Sequence, residues 1–136
     1  MIGLGVSAIS RIDDIYAQNP SDLTRYEASL DQGQLATVRG IRLSDDDLIR
    51  RDVIERLMCD MRIDLATVSQ RWNIDAPRYF APALEHLQSA EQDGLLTRSS
   101  DQLSATPIGR LLIRHIAMAF DAHLPQQTGQ GYSKIV

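Results

Sequence analysis

From Ser44 onward the apolar residues keep a helical beat, and this stretch constrains the fold more than any other part of the 136-residue chain. Ser44 followed by Asp45, Asp46 and Asp47 places an N-cap and an acidic first turn at the positive end of a helix dipole. Ile49, Val53, Ile54, Leu57, Met58 and Met61 then recur at three- and four-residue spacing, with Arg50, Arg51, Glu55 and Arg56 opposite, which predicts a helix running to Arg62. Asp64 reads as the cap of a short second helix carrying Leu65, Val68 and Trp72. Pro77 begins a third, with Phe80, Leu84 and Leu87 inward, ending at Asp93-Gly94. Leu95-Leu96-Thr97-Arg98, a polar turn over residues 99–102 and Leu103-Ser104-Ala105 read as a β-hairpin. Thr106-Pro107 opens a last helix with Ile108, Leu112, Ile113, Ile116, Ala117 and Phe120 on its buried face. Three helices, a hairpin and a helix make the expected class mainly α, with a winged-helix-like domain over residues 44–136.

Residues 1–43 are organised differently. Ile2-Gly3-Leu4-Gly5-Val6 reads as a short buried strand, although glycines weaken a strand unless another backbone or a ligand comes close. Ile12 to Ala17 reads as a second extended piece, closed by Asn19-Pro20, and Ser21 as the N-cap of a helix through Asp31 with Leu23, Tyr26 and Leu30 at helical spacing. Three such short elements hold too few large side chains to build a core of their own. This part of the chain is expected to lean on something else. The tail over residues 125–136 is Gln- and Gly-rich, and is expected to be extended with Tyr132, Ile135 and Val136 docking.

Composition narrows the chemistry. One cysteine, Cys59, excludes an internal disulfide, a multi-cysteine zinc site and a self-contained iron–sulfur cluster. Next to Met58 it reads as a small buried hydrophobe rather than a nucleophile, with no histidine or electropositive setting in view. His86, His115 and His123 lack metal-ligand spacing, so no metal site and no catalytic residue is assigned. No apolar run reaches the roughly 18 residues of a membrane span, and the start MIGLGVSAIS has no basic region of the kind a signal peptide carries, so a cytoplasmic, membrane-free protein is expected. Gly3-x-Gly5-x-x-Ala8 formally fits a dinucleotide fingerprint, but no second βα unit follows.

A winged helix raises the question of DNA. Phosphate neutralisation needs a basic face. Residues 64–92 instead set Arg71 and Arg78 against Asp64, Asp75, Glu85 and Glu91, in a chain with a net charge of −4, so no nucleic-acid partner is expected. Thirteen of the fourteen basic residues are arginines, the type suited to bidentate grip on carboxylates. Arg39, Arg42 and Arg50-Arg51 are candidates for that grip, with a solvated face paired to Asp45, Asp46 and Asp47 as the plainer reading of the last two.

Several motifs occur in one order: Gly3-Leu4-Gly5-Val6-Ser7-Ala8-Ile9-Ser10, Tyr16-Ala17-Gln18-Asn19, Arg39-Gly40, Arg50-Arg51-Asp52-Val53-Ile54, Tyr79-Phe80, Asp93-Gly94-Leu95, Gly109-Arg110-Leu111-Leu112-Ile113-Arg114 and the closing Tyr132-Ser133-Lys134-Ile135-Val136. Together they resemble the C-terminal portion of the oxygen-independent coproporphyrinogen III oxidases, over essentially the whole chain. The resemblance implies a parent enzyme of the radical S-adenosylmethionine type that oxidatively decarboxylates two propionates of coproporphyrinogen III in haem biosynthesis. It also implies a [4Fe–4S] cluster held by a CxxxCxxC motif in a catalytic α/β barrel, a motif absent here. This chain alone is thus expected to bind no cofactor, and its partner is the missing barrel, through which the porphyrinogen substrate is met. By the same resemblance, residues 1–43 are the last barrel strand and the loop after it. Ile9 then matches a position contacting S-adenosylmethionine, with Ala8 and Ser7 as weaker neighbours, and residues 44–136 cover the substrate side of the barrel.

Three readings stand at this level. The first is a C-terminal domain or fragment of such an oxidase, with Met1 an internal methionine or a boundary. The second is a haem-handling or interaction module related to the family, and the third an acidic winged-helix regulator.

Overall fold

The structure, a computed structural model, describes residues 1–124, so the predicted docking of Tyr132, Ile135 and Val136 lies outside the described residues. It contains helices and two small three-stranded sheets, and it divides into the units Met1–Leu48 and Ile49–Val136.

In the first unit, strands β1 (Ile9–Ile12) and β2 (Ile15–Gln18) form an antiparallel hairpin, followed by helix α1 (Leu23–Asp31) and strand β3 (Arg39–Arg42), which pairs antiparallel with β2. The sequence reading of an extended piece from Ile12 to Ala17 therefore needs correction, because the Asp13-Asp14 pair inside it is the hairpin turn. Asp13 takes a left-handed φ of 52°, which a short Asx side chain tolerates. Residues 2–6 are not a strand either. Gly5 adopts φ 95°, its N–H donates to Tyr26 Oη at 3.1 Å and its carbonyl accepts from Asn19 Nδ2 at 2.9 Å, so side chains rather than a ladder satisfy this backbone. Helix α1 is capped by Asp22, not Ser21: the Asp22 carboxylate accepts from Arg25 N at 2.7 Å, one residue further on than predicted.

Helix α2 (Asp45–Asp60) begins as the sequence predicts. Ser44 Oγ accepts from Asp47 N at 3.2 Å while the Asp47 carboxylate accepts from Ser44 N at 2.9 Å, a reciprocal capping box. It stops two residues before Arg62, because Met61 turns to φ 59° and leads into β4 (Arg62–Asp64). Helix α3 (Leu65–Trp72) follows, capped by Asp64 as predicted. The predicted third helix is divided into α4 (Ala76–Tyr79), α5 (Ala81–His86) and α6 (Gln88–Gln92). Pro82, which has no N–H to give, sits at the start of the middle piece. The hairpin is present as β5 (Leu96–Arg98) and β6 (Gln102–Ala105), and β6 also pairs with β4, giving the order β4-β6-β5.

The last helix is shorter than predicted. Thr106 Oγ1 does accept from Gly109 N at 3.1 Å, but Gly109–Leu112 form a 3-10 turn and the α-helix α7 covers only Ile113–Met118. The tighter turn carries Ile108 and Leu112 to the surface, against their predicted burial. Gly109 explains the turn: a Cβ there would stand 1.8 Å from the Leu95 carbonyl oxygen.

The core of this unit joins Val53 and Leu57 of α2, Ile63, Val68, Phe80, Leu103, Ile116 and Phe120, each less than 2% exposed. Phe80 and Phe120 meet edge to face with centroids 5.4 Å apart. Asp52 binds α2 to α3, accepting from Trp72 Nε1 at 3.0 Å and facing Arg56 Nε at 3.2 Å and Arg71 Nη1 at 3.6 Å.

Gly109→Ala should therefore destabilise the chain by about 1–3 kcal/mol and lower its Tm by on the order of 10 °C, checked by thermal denaturation followed by circular dichroism. The Asp64 carboxyl is held below its ordinary value of 3.8, chiefly by the Thr67 backbone N–H that donates to it at 3.0 Å. A lowered native pKa means that the cap contributes above pH 3.8 and is lost as pH falls through the native value. Asp64→Ala should lower Tm at neutral pH, and the gap to wild type should narrow in acid, as a pH series of melts will test.

Candidate functional site

Unit Met1–Leu48 has almost no interior. Among the described residues its buried apolar side chains reduce to Pro20 and Ala36, whereas 12 of the 16 large apolar side chains left exposed lie in it. The exposed set follows from the sheet geometry. Register sets Ile9 opposite Gln18 and Gln18 opposite Arg39, then Arg11 opposite Tyr16 and Tyr16 opposite Ile41. Directly opposed residues share a face, so these six side chains form one face, and Ser10, Ile12, Ile15, Ala17, Gly40 and Arg42 form the other.

The second face is partly covered by the chain itself. Residues 2–4, Tyr26 and Leu30 close over it around a cavity of 170 Å³ that also reaches Ala36. The first face stays open. Its hollow of 440 Å³ is lined by Ile9, Tyr16, Gln18, Arg39 and Ile41 with the backbone neighbours Ala17 and Gly40, a volume within the range of small-molecule sites.

The three sequence candidates stand at one edge of this face. Ser7, at φ 59°, donates its N–H to the Pro20 carbonyl at 2.8 Å, and its own carbonyl accepts from Gln18 Nε2 at 3.3 Å. The Ala8 carbonyl accepts from Asn19 N at 3.0 Å, and Ile9 opens β1 with 51% of its surface exposed. Gln18 Oε1 accepts from Arg39 Nε at 2.7 Å and from Arg39 Nη2 as well. The Ser7 carbonyl, the Gln18 carboxamide and the Arg39 guanidinium thus form a chain along one row of the sheet.

The other arginine candidates are placed elsewhere. Arg42 is on the opposite face and pairs with Asp14 at 3.2 Å. Arg50 is not on a merely solvated face: its Nη1 donates to the Phe120 carbonyl at 3.1 Å, and its guanidinium lies 5.8 Å from the ring centres of Tyr79 and Phe80. Arg51 is half-buried on α2. Sequence reasoning missed β3 altogether, and with it the partnership of Arg39 and Gln18. The signal available was the alternation of Val38, Gly40 and Arg42 with Arg39 and Ile41, too short to read alone.

Cys59 is exposed, which corrects the buried reading. It stands two residues beyond the fully buried Leu57 and therefore about 200° around the helix, facing outward. His86, His115 and His123 are all exposed, and among the described residues no three His, Cys, Asp or Glu side chains gather where a metal could sit. A four-iron cluster needs several thiolates, so the residues present do not fit one. Among the described residues no helix is long and apolar enough to cross a membrane.

Comparison with known proteins places the chain in a family. Residues 43–112, just over half of the chain, match the family described as the HemN C-terminal domain. The chain belongs to the HemN C-terminal domain family. Its relatives include the oxygen-independent coproporphyrinogen III oxidases of Pseudomonas aeruginosa, 41% identical over 136 residues, and of Escherichia coli, 42% identical over 137. Each alignment takes in 100% of this chain and 30% of the relative. The solved coproporphyrinogen III oxidase (HemN) of Escherichia coli, described as a radical SAM enzyme, superposes with a TM-score of 0.84 at 45% identity, over 90% of this chain and 28% of that one. The chain spans about 30% of the length of these two curated relatives and 28% of the solved one.

Anaerobic treatment of the purified chain with iron and sulfide should leave no stable visible charge-transfer absorption, and Cys59→Ser should not alter the spectrum. A cluster signal lost in Cys59→Ser would show that the thiol count misleads.

Proposed function

We propose that this chain acts as the C-terminal part of an oxygen-independent coproporphyrinogen III oxidase, the enzyme that oxidatively decarboxylates coproporphyrinogen III to protoporphyrinogen IX. The observation that carries the reading is that oxidases of this name align with every residue of the chain at 41–44% identity. The apolar surface of Met1–Leu48 supports it, since a unit without an interior is completed by burial against a larger body.

On this reading residues 1–43 are the closing strand and loop of a radical-SAM barrel, and residues 44–136 are a winged-helix-like domain lying over its substrate side. The strand β4 before α3 and the three-stranded sheet β4-β6-β5 closed by the hairpin between α6 and α7 favour the winged-helix comparison. The barrel, in the same or a separate chain, is the partner, and the cytosol the compartment. When bound by the rest of such an enzyme, the cluster and S-adenosylmethionine supply the hydrogen-atom abstraction that starts decarboxylation. This chain's residues contribute shape and contact. Ile9 offers an exposed apolar side chain to S-adenosylmethionine, while Ala8 and Ser7 fix the backbone behind it through Asn19, Pro20 and Gln18. On the same reading the chemistry belongs to the rest of the enzyme, and the isolated chain is not a catalyst.

A chimera tests this. Replacing the matching C-terminal portion of the Escherichia coli oxidase with this chain should retain decarboxylation of coproporphyrinogen III, while deleting that portion should abolish it. A folded, cluster-loaded chimera without activity would overturn the proposal.

A further inference from the structure

The open face of the β1-β2-β3 sheet has a composition that its role as a covering surface does not require. Its apolar groups, Ile9, Tyr16 and Ile41, alternate with Gln18 and two arginines, and among the described strand residues no carboxylate projects from it. A face meant only to be covered by an apolar protein neighbour gains nothing from the Arg39 guanidinium on its edge strand β3, because burying a cation without a carboxylate partner is costly. Arg39 is also held in place. Gln18 takes up one N–H on Nε and one on Nη2, and Gln18 is in turn anchored through its Nε2 to the Ser7 carbonyl. A guanidinium has five N–H donors, so the Nη1 side stays presented in a fixed fork suited to a carboxylate.

We propose that this face seats a tetrapyrrole, with Ile9, Tyr16 and Ile41 under its apolar ring and Arg39 gripping one carboxylate substituent. The inference rests on the function proposed above and deepens it. Charge complementarity chooses the occupant: the face offers the Arg39 guanidinium and apolar area, and the ligand that matches is an apolar ring bearing carboxylates. Spacing identifies which carboxylate. Ile9, Gln18 and Arg39 form one row across three strands, so Arg39 stands two strand spacings, about 10 Å, from Ile9. If the reacting propionate lies beside the cofactor at Ile9, Arg39 holds a different one that does not react. Arg39 is then a positioning residue that uses remote binding to orient the ring.

The direct test titrates the full 136-residue chain with coproporphyrin III and with its tetramethyl ester, followed by porphyrin fluorescence. Arg39→Met should weaken binding of the free acid at least tenfold and leave the ester unchanged, and Arg39→Lys should recover part of the loss. Arg42→Met, on the opposite face, should change neither. S-adenosylmethionine in excess should not displace the porphyrin from Arg39. The proposal is overturned if Arg39→Met binds the free acid like wild type, if Arg42→Met gives the same loss, if S-adenosylmethionine competes for Arg39, or if the wild-type chain binds no porphyrin.

In the chimera, Arg39→Met should raise KM for coproporphyrinogen far more than it lowers kcat. An active chimera whose KM ignores Arg39 sinks this inference and leaves the proposed function standing. An inactive chimera together with carboxylate-dependent porphyrin binding sinks the proposed function and keeps the gripping face.

Discussion

Burial of apolar surface is distributed unequally along this chain, and everything else follows from that inequality. Beyond Ile49 the helices and the β4-β6-β5 sheet close over Phe80, Phe120, Leu57 and Ile63, so that part supplies its own hydrophobic stabilisation. Before it, a hairpin, a third strand and one helix enclose little more than Pro20 and Ala36. A few tens of residues cannot offset their conformational entropy with so little buried area, so the first unit holds its form through backbone pairing and side-chain caps. The cost of that economy is an exposed apolar sheet, and the same exposure leaves the 440 Å³ hollow open.

Polar detail decides what such a surface is for. The Ser7 carbonyl, Gln18 and Arg39 turn one row of the sheet into a fixed donor, while the equivalent arginine on the other face, Arg42, is occupied by Asp14. Two arginines three residues apart in sequence thereby acquire different roles through strand alternation alone. On the second unit Arg50 differs again, since Tyr79, Phe80 and the Phe120 carbonyl hold it as part of the packing.

The sequence disclosed the parts governed by local rules. Ser44 and Asp64 are caps because a side-chain oxygen three residues before a free N–H satisfies it, whatever the rest of the chain does. The hairpin after Gly94 was legible for the same reason. What could not be read depended on distant neighbours. Strand β3 exists because β2 is beside it, and β4 because β6 returns to pair with it 42 residues on, at Arg62 and Ser104. The outward turn of Ile108 and Leu112 follows from Gly109 lying against the Leu95 backbone. The exposure of Cys59 has a simpler reason: adjacency to Met58 does not make a shared face, because consecutive helical residues point about 100° apart. At the candidate site Ile9 enters only through the resemblance, and Arg39 is one of four arginines until the register sets it beside Gln18.

A division of labour makes sense of a chain with one thiol, three exposed histidines and a well-made carboxylate fork. A four-iron cluster needs several soft ligands, and among the described residues none are gathered to hold one. Orientation of a large substrate needs something different: a flat apolar floor, a rigid cation and a register that keeps them a fixed distance apart. Those are properties that a short antiparallel sheet confers cheaply, because strand spacing is set by hydrogen bonds rather than by packing. A sheet of this kind can therefore lack an interior and still impose geometry on what it touches. Ile9 and Arg39 are held two strands apart whether or not anything covers them, and this fixed separation would let such an enzyme distinguish the carboxylate that reacts from one that only anchors.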